Sequence, residues 1–300
     1  MFDYEQYLRK DKFPHIWCAG CGDGILLKSM LRAIHGLGWE KEEIVMVSGI
    51  GCSARMTGYV DFQTVHTLHG RALAYATGIK MARPDQHVIV VTGDGDGLAI
   101  GGNHFIHAAR RNIDISVILM NNSIYGMTGG QVSPATPTGA RATTAPHGAI
   151  DPNFDISRLA IAAGASYVAR NTVFNSRQLE NMISEALSTR GFTLVETVLQ
   201  CPTIFGRLNK KGSPSDMLAD QKERSVSLRK AEKMSEEELE GKIVTGVLHN
   251  RPRPEYSERY QDLTERVGGT VRYPAVGSPR DPRSASETGE ADEQEEAVTT

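Results

Sequence analysis

Short β-branched runs alternate with longer segments of helical periodicity from Cys21 to Cys201. This alternation is typical of a mostly parallel β-sheet whose strands are connected by covering helices. The runs predict strands at Ile44–Val47, His87–Thr92, Ile115–Asn121, Ser166–Arg170 and Thr193–Leu199. We therefore predict an α/β fold, with a doubly wound, mostly parallel sheet over residues 1–205.

A polar residue precedes the apolar stripe of two predicted helices. Asp23 opens one and Ser176 opens the other, and we expect each side chain to cap its helix. The predicted buried faces contain Ile25, Leu26, Met30, Leu31 and Ile34 in the first helix and Leu179, Met182 and Leu187 in the second. Another helix is expected around His104 to Arg111.

The composition changes after Cys201, where charged residues and serine replace the aliphatic runs from Gly206 to Glu240. Such a segment cannot bury a core of its own, so we predict that residues 206–272 form a helical and extended arm that docks on a partner chain. Its anchors would be Pro252, Pro254, Tyr256 and Tyr260. Residues 273–300 are rich in Pro, Ser, Glu and Thr, which predicts a disordered acidic tail.

Composition and charge argue against several classes of protein. The 300-residue chain is 40% hydrophobic and 23% charged, as is typical of a globular protein. Its formal net charge of -3 and its scattered basic residues argue against nucleic acid as a partner. No apolar stretch approaches the roughly 20 residues of a membrane-spanning helix, and Met1 to Lys12 is too charged for a secretory signal. We therefore expect a cytoplasmic protein without membrane contact.

A predicted buried strand runs directly into the turn Gly93-Asp94-Gly95, and the next strand ends at Asn121-Asn122. A helical crossover between the strands would place both turns side by side at one edge of the sheet. There Asp94 would supply a carboxylate and Asn122 an amide oxygen, which are ligands that Mg²⁺ prefers. Glycines would let the backbone approach a diphosphate closely. The alternative is a glycine-rich turn at the end of an ordinary strand, with the Asn pair capping the next turn, and the spacing between the two motifs argues against it.

Four cysteines occur, at Cys18, Cys21, Cys52 and Cys201. Disulfides are disfavoured in a cytoplasmic chain, and four thiolates complete one metal centre. Each cysteine lies in a predicted turn, where backbone amides could donate hydrogen bonds to sulfur. A 4Fe-4S cluster, a structural zinc ion and unrelated buried cysteines all remain compatible with this spacing.

The Gly-Asp-Gly turn and the later Asn122 resemble the thiamine diphosphate signature of thiamine-dependent enzymes. The stretch Tyr125-Gly-Met-Thr-Gly-Gly-Gln131 is similar to one in the 2-oxoacid:ferredoxin oxidoreductases. The pattern of the four cysteines resembles the 4Fe-4S site of the same family. The resemblance extends from about Phe13 to Pro202 and points to the beta subunit, most closely that of members oxidising 2-oxoglutarate.

The resemblance implies a set of binding residues. Asp94, Asn122 and the carbonyl group of Ile124 would bind Mg²⁺, and the four cysteines would bind one 4Fe-4S cluster. Contacts to thiamine diphosphate would come from Ile50, Gly51, Cys52, Ser53, His69, Gly95, Asp96, Gly126 and Met127. His69 has two interpretations, because a histidine before Gly70 could simply cap a helix or could begin one whose amides face the diphosphate.

The resemblance also implies a reaction and partner chains. The expected reaction is 2-oxoglutarate + CoA + oxidised ferredoxin to succinyl-CoA + CO₂ + reduced ferredoxin, which in reverse fixes CO₂. The glutamate that activates thiamine in this family belongs to a second α/β domain, which this sequence lacks, so no catalytic residue is assigned here. We expect an alpha subunit, or alpha plus gamma, to supply it together with the CoA pocket, in a dimer of heterodimers that reduces ferredoxin.

The sequence leaves alternatives open for both the substrate and the class of protein. Arg141 and His147, with Thr143 and Thr144, could hold the distal carboxylate of 2-oxoglutarate or could line a solvated loop. Pyruvate and branched-chain 2-oxoacids are alternative substrates. An alternative enzyme is a non-redox thiamine-dependent decarboxylase subunit with a structural zinc ion. A non-catalytic alternative is a scaffold or electron-transfer subunit that has lost the cofactor.

Overall fold

The computed structural model describes residues 2–269, which form an eight-stranded sheet with helices on both faces. The strands are β1 (Ile44–Ser48), β2 (Gln63–His66), β3 (His87–Gly93), β4 (Ser116–Asn121), β5 (Tyr167–Thr172), β6 (Thr193–Val198), β7 (Ser225–Ser227) and β8 (Ile243–Asn250). The helices are α1 (Asp23–Leu37), α2 (Met56–Tyr59), α3 (Ala72–Ala82), α4 (Gly102–Arg111), α5 (Ile156–Ala163), α6 (Ser176–Ser188), α7 (Pro214–Arg224), α8 (Leu228–Ala231), α9 (Glu236–Leu239) and α10 (Tyr256–Arg266).

The strands lie in the order β2-β1-β3-β4-β6-β5-β8-β7, and the first six of these are parallel. This arrangement confirms the predicted fold class and the predicted strands, with boundaries displaced by one or two residues. The chain leaves β1 toward β2 on one side and returns to β3 on the other. Open α/β sheets bind ligands at such a switch point, beyond the carboxyl ends of the strands.

Alternate side chains of the central strands enter two separate cores. In β3, Ile89 and Val91 face the core that contains α1 and α6. Val88 and Val90 face the core that contains α3, α4 and α5. A strand buried on both faces must be apolar at nearly every position, which explains the continuous apolar run from Val88 to Val91. The two cores hold the strand tips rigidly.

The C-terminal segment differs from what the sequence indicated. Strand β8 pairs antiparallel with β5, and β7 pairs parallel with β8, so this segment extends the sheet. No strand was predicted there, because the surrounding charged residues conceal the short apolar run of β8. Tyr256 and Tyr260 lie on helix α10 and not in an extended piece. Docking of residues 206–272 on a partner stays a prediction, and the predicted tail over 273–300 lies outside the described residues.

Neither predicted helix cap is correct. Asp23 and Ser176 are the first helical residues, and neither helix has a side-chain hydrogen bond at its cap. Asp23 is instead buried at 1% exposure beside the cysteines. In the described part of the chain, no helix is long and apolar enough to cross a membrane.

Candidate active site

Three loops meet where β1, β3 and β4 end. The register pairs Ser48 with Val91 and Gly93 with Met120, so the three strands end at similar heights. The loops that follow enclose a cavity of about 300 Å³ at the switch point. All predicted magnesium and thiamine contacts line this cavity: Ile50, Gly51, Cys52, Ser53, His69, Asp94, Gly95, Asp96, Asn122, Ile124, Gly126 and Met127. Residues that are distant in the sequence are therefore brought together at one site.

The carboxylate of Asp96 joins the walls of the cavity. It is 3% exposed and accepts hydrogen bonds from Thr92 Oγ1 at 2.7 Å, the Gly70 amide at 2.7 Å and the Ile50 amide at 3.1 Å. His69 Nδ1 lies 2.7 Å from the same carboxylate. The hypothesis that a helix begins at His69-Gly70 is therefore wrong, because α3 begins at Ala72 and the Gly70 amide faces Asp96. Asp96 ties the loops after β1, β2 and β3 into one unit.

Asp94 is a buried acid with no basic side chain beside it among the described residues. Ser133 Oγ donates to it at 2.6 Å, and the Gly95 and Ile124 amides lie within hydrogen-bonding reach. Burial nevertheless raises the pKa of Asp94 to about 7, and no basic side chain among the described residues offsets its charge. A carboxylate held in this way has a strong need for a bound cation.

The turn after β4 brings Asn122 and Ile124 to Asp94. Asn122 Oδ1 accepts a hydrogen bond from the Ile124 amide at 3.1 Å, and that amide also lies beside Asp94. A carboxylate, an amide oxygen and a nearby backbone carbonyl form a donor set that suits Mg²⁺ bound to a diphosphate. The residues present therefore fit the metal that the motif indicated.

Tyr125 forms part of the cavity lining, and its ring explains why position 95 is a glycine. Its hydroxyl donates to the Gly95 carbonyl at 2.9 Å. A Cβ atom at Gly95 would lie 2.4 Å from the Tyr125 ring, so no larger residue fits while the ring keeps its place. The backbone of the Gly-Asp-Gly turn is thus exposed to the cavity beneath an aromatic ring.

The four cysteines lie beside this cavity, although 183 positions separate the first from the last in Cys18 and Cys201. A Cβ atom at Gly126 would lie 3.4 Å from Cys52 Sγ and 3.6 Å from Cys201 Sγ. Burial is the main cause of the raised pKa values of Cys21, Cys52 and Cys201, and the charge of Cys18 adds to the rise for Cys52 and Cys201, as that of Cys201 does for Cys21. Within residues 2–269, no three His, Cys, Asp or Glu side chains surround a single point closely enough for one ion.

The surroundings of the cysteines fit a bound metal centre. Burial raises the pKa of Cys52 to about 12 and raises the pKa values of Cys21 and Cys201. The Met127 amide donates toward Cys52, and the Ile204 and Phe205 amides donate toward Cys201. Apart from the neighbouring Cys21 thiol, the two buried carboxylate oxygens of Asp23 find no hydrogen-bond partner in the described chain. Crowded thiols beside a buried acid are costly to bury unless positive charge joins them.

Comparisons with known proteins agree with this geometry. Residues 49–197 match the family model of the thiamine pyrophosphate enzyme C-terminal TPP binding domain. The chain is 53% identical over 268 residues to the 2-oxoglutarate synthase subunit KorB of Methanothermobacter marburgensis, covering 89% of this chain and 94% of that protein. It is also 53% identical to the KorB subunit of Methanocaldococcus jannaschii over 262 residues, 87% of this chain and 97% of that protein.

The chain belongs to the beta subunits of the 2-oxoacid:ferredoxin oxidoreductases. A solved structure of the 2-oxoglutarate:ferredoxin oxidoreductase from Magnetococcus marinus, with 2-oxoglutarate, coenzyme A and succinyl-CoA bound, is similar at a TM-score of 0.80 and 34% identity. The similarity covers 90% of this chain and 92% of that one. These findings confirm the family that the motifs indicated.

The predicted substrate contacts of this beta subunit lie elsewhere. Arg141 and His147 do not line the cavity. The Arg141 backbone is paired with Asn209, through hydrogen bonds of 2.7 and 3.0 Å. His147 lines a separate depression together with Thr144. The loop that carries them folds back on itself between Gly139 and Ala149, so their contact with substrate stays a prediction without support from this chain.

Several site residues were missed in the sequence. Ser133, Tyr125 and Asp23 each contact or line the cavity, but none belongs to the short motifs that carry the metal ligands. Tyr125 lies in the stretch that resembles the family and could have been included on that ground. Ser133 carries no local signal, because only the folded chain brings it to Asp94, whereas Asp23 lies two residues after Cys21 and was interpreted as a helix cap.

Gly49 provides a test of the Asp96 junction. A Cβ atom there would lie 2.1 Å from Asp96 Oδ2, so Gly49→Ala should displace the carboxylate and destabilise the protein by about 1–3 kcal/mol. Binding of thiamine diphosphate should weaken as well. Gly58→Ala is the matched control, because a Cβ atom at this helical position meets nothing within 4 Å. Thermal unfolding and calorimetric titration would measure both effects, and equal behaviour of the two variants would contradict the assigned role of Asp96.

Proposed function

We propose that this chain binds thiamine diphosphate, Mg²⁺ and a 4Fe-4S cluster within a 2-oxoglutarate:ferredoxin oxidoreductase. The reaction converts 2-oxoglutarate and CoA to succinyl-CoA, CO₂ and a proton, with two electrons passed to oxidised ferredoxin, and it can run in either direction. The observation that carries the proposal is the convergence of Asp94, Asn122 and Cys52 on one cavity. Its support in relatives comes from subunits named 2-oxoglutarate synthase subunit KorB.

The polar side of the cavity would hold the diphosphate. Asp94, Asn122 and the Ile124 carbonyl would hold Mg²⁺, which would supply positive charge to the diphosphate. Gly95 would let the backbone approach the diphosphate closely, because glycine has no side chain. The Tyr125 ring leaves no room for a side chain at that position. His69 would lie beside the cofactor with its orientation set by Asp96.

Asp94→Asn tests the magnesium site. The variant should lose Mg²⁺-dependent binding of thiamine diphosphate, because a neutral amide replaces the charged ligand. The melting temperature of the cofactor-free protein should not fall, because burial of the Asp94 carboxylate is itself unfavourable. Asp151→Asn, at an exposed position, is the control for loss of one negative charge. Melting curves with and without Mg²⁺ and thiamine diphosphate would decide, and retained cofactor stabilisation in Asp94→Asn would overturn the assignment.

The cysteines would place the cluster directly beside the cofactor. Thiamine diphosphate supplies the carbanion that attacks a keto carbon and accepts the electrons left when carbon dioxide departs. Cys52 lines the cavity and neighbours Cys201, so this chain would hold the electron acceptor next to the site where electrons are released. Backbone amides directed at both sulfurs would help to set the reduction potential of the cluster.

Metal analysis distinguishes this proposal from a zinc-containing decarboxylase. The anaerobically purified protein should be brown, absorb broadly near about 400 nm and contain about four iron atoms per chain. Cys201→Ala should lose the colour, because it removes one of the four thiolates. A colourless protein with about one zinc ion per chain would instead support the non-redox alternative, since zinc is d¹⁰.

A partner would complete the site. Members of the beta-subunit family carry names that imply an alpha subunit, and the activating glutamate is assigned to that chain. Of the cavity-lining residues in the described chain, His69 is the only one with a basic side chain. The cation that binds the distal carboxylate of 2-oxoglutarate would therefore come from the partner. A dimer of heterodimers and ferredoxin as electron acceptor complete the proposed assembly.

A further inference from the structure

The turn between the two predicted magnesium ligands Asn122 and Ile124 has an unusual backbone. Ser123 adopts the left-handed conformation, with φ of 62°, which is unfavourable for a residue with a Cβ atom. Such a conformation persists only where surrounding contacts hold it. Asn122 and Ile124 line the cavity, whereas Ser123 lines only a small neighbouring cleft that Asn122 also borders. The conformation of Ser123 therefore determines how its two neighbours face the cavity.

A buried network supports this turn from the sheet. The Ser123 amide donates to Asn121 Oδ1 at 3.2 Å, and Asn121 Nδ2 donates to Glu196 Oε1 at 2.9 Å. Glu196 is 2% exposed and also accepts from Ser157 Oγ at 2.7 Å and Arg170 Nε at 2.8 Å. Because Arg170 and Ser157 occupy Glu196 Oε2, its Oε1 is directed toward Asn121.

A second support reaches the turn from the opposite loop. Thr136 Oγ1 donates to the Ser123 carbonyl at 2.7 Å and accepts from the Ser133 amide at 2.8 Å. Ser133 Oγ in turn donates to Asp94 Oδ2 at 2.6 Å. Thr136, Ser133 and Asp94 are all buried, with exposures of 2%, 4% and 2%. One continuous set of hydrogen bonds therefore joins Glu196 on β6, the Ser123 turn and the carboxylate of Asp94.

We propose that Thr136 and Glu196 are positioning residues for the magnesium diphosphate site. Neither residue lines the cavity. Thr136 fixes the distance between the Asn122 turn and Asp94, and Glu196 fixes the orientation of Asn121 beneath the turn. The inference rests on the proposed function, since it gives these residues a role in holding Mg²⁺. Outer partners of metal ligands commonly change metal affinity by about 10–100-fold when they are removed.

Thr136 offers a matched pair of substitutions. Thr136→Val keeps the shape of the side chain but loses the hydroxyl, whereas Thr136→Ser keeps the hydroxyl. Thr193→Val is the control, because Thr193 is a buried threonine on β6 whose hydroxyl has no hydrogen-bond partner in the described chain. The complex with its partner subunit would be freed of metal and cofactor, and Mg²⁺ would be titrated by calorimetry at saturating thiamine diphosphate.

Thr136→Val should weaken Mg²⁺ binding by roughly tenfold or more, while Thr136→Ser and Thr193→Val stay close to wild type. Rescue by serine distinguishes positioning from a general loss of stability, which would lower the melting temperature of Thr136→Val without changing its Mg²⁺ affinity. Glu196→Gln provides an independent measurement should Thr136→Val not fold, and it should weaken Mg²⁺ binding several-fold.

One experimental outcome would contradict this inference alone, and another would contradict the proposed function as well. Wild-type Mg²⁺ affinity in Thr136→Val, or in Glu196→Gln when Thr136→Val does not fold, would overturn this inference and leave the proposed function intact. Absence of Mg²⁺-dependent thiamine diphosphate binding in the wild-type complex would overturn the proposed function and this inference together.

Discussion

The buried carboxylate of Asp96 is the interaction on which the rest of the site depends. Two backbone amides and one imidazole from the loops after β1 and β2 converge on it, together with one hydroxyl from β3 itself. Each donor is matched, so the buried charge stabilises the loops instead of destabilising them. Parallel strands bring their carboxyl ends to one edge, but Asp96 keeps the loops beyond that edge in a single arrangement. The cavity exists because these loops cannot move independently.

Other acids of the site are left without matching partners. Asp94 has hydrogen-bond donors but no cation, and burial raises its pKa to about 7. Apart from the Cys21 thiol, Asp23 has no hydrogen-bond partner among the described residues, and burial raises its pKa to about 6. Cys52 and Cys201 add two more groups that resist ionisation without a metal. This contrast with Asp96 separates the part of the site that supports itself from the part arranged to receive positively charged ligands.

Much of this organisation could be predicted from the sequence. The runs around Ile89 and Ile118 are apolar at consecutive positions, so their strands and the turns after them were evident. The cysteines and Asp94 carry short motifs. Strand β8 was missed because its apolar residues are few and are surrounded by charge. Thr136 and Glu196 were missed because their importance lies in contacts with residues 13 and 75 positions away. Such contacts leave no local pattern.

The proposed function requires a metal-bound diphosphate and an iron–sulfur cluster to lie side by side within this chain. Anomalous diffraction at the iron edge, from anaerobic crystals of the complex with Mg²⁺ and thiamine diphosphate, tests it most directly. We expect iron density enclosed by Cys18, Cys21, Cys52 and Cys201, and a magnesium ion between Asp94 and Asn122. Iron bound elsewhere, or a diphosphate located away from Asp94, would contradict it.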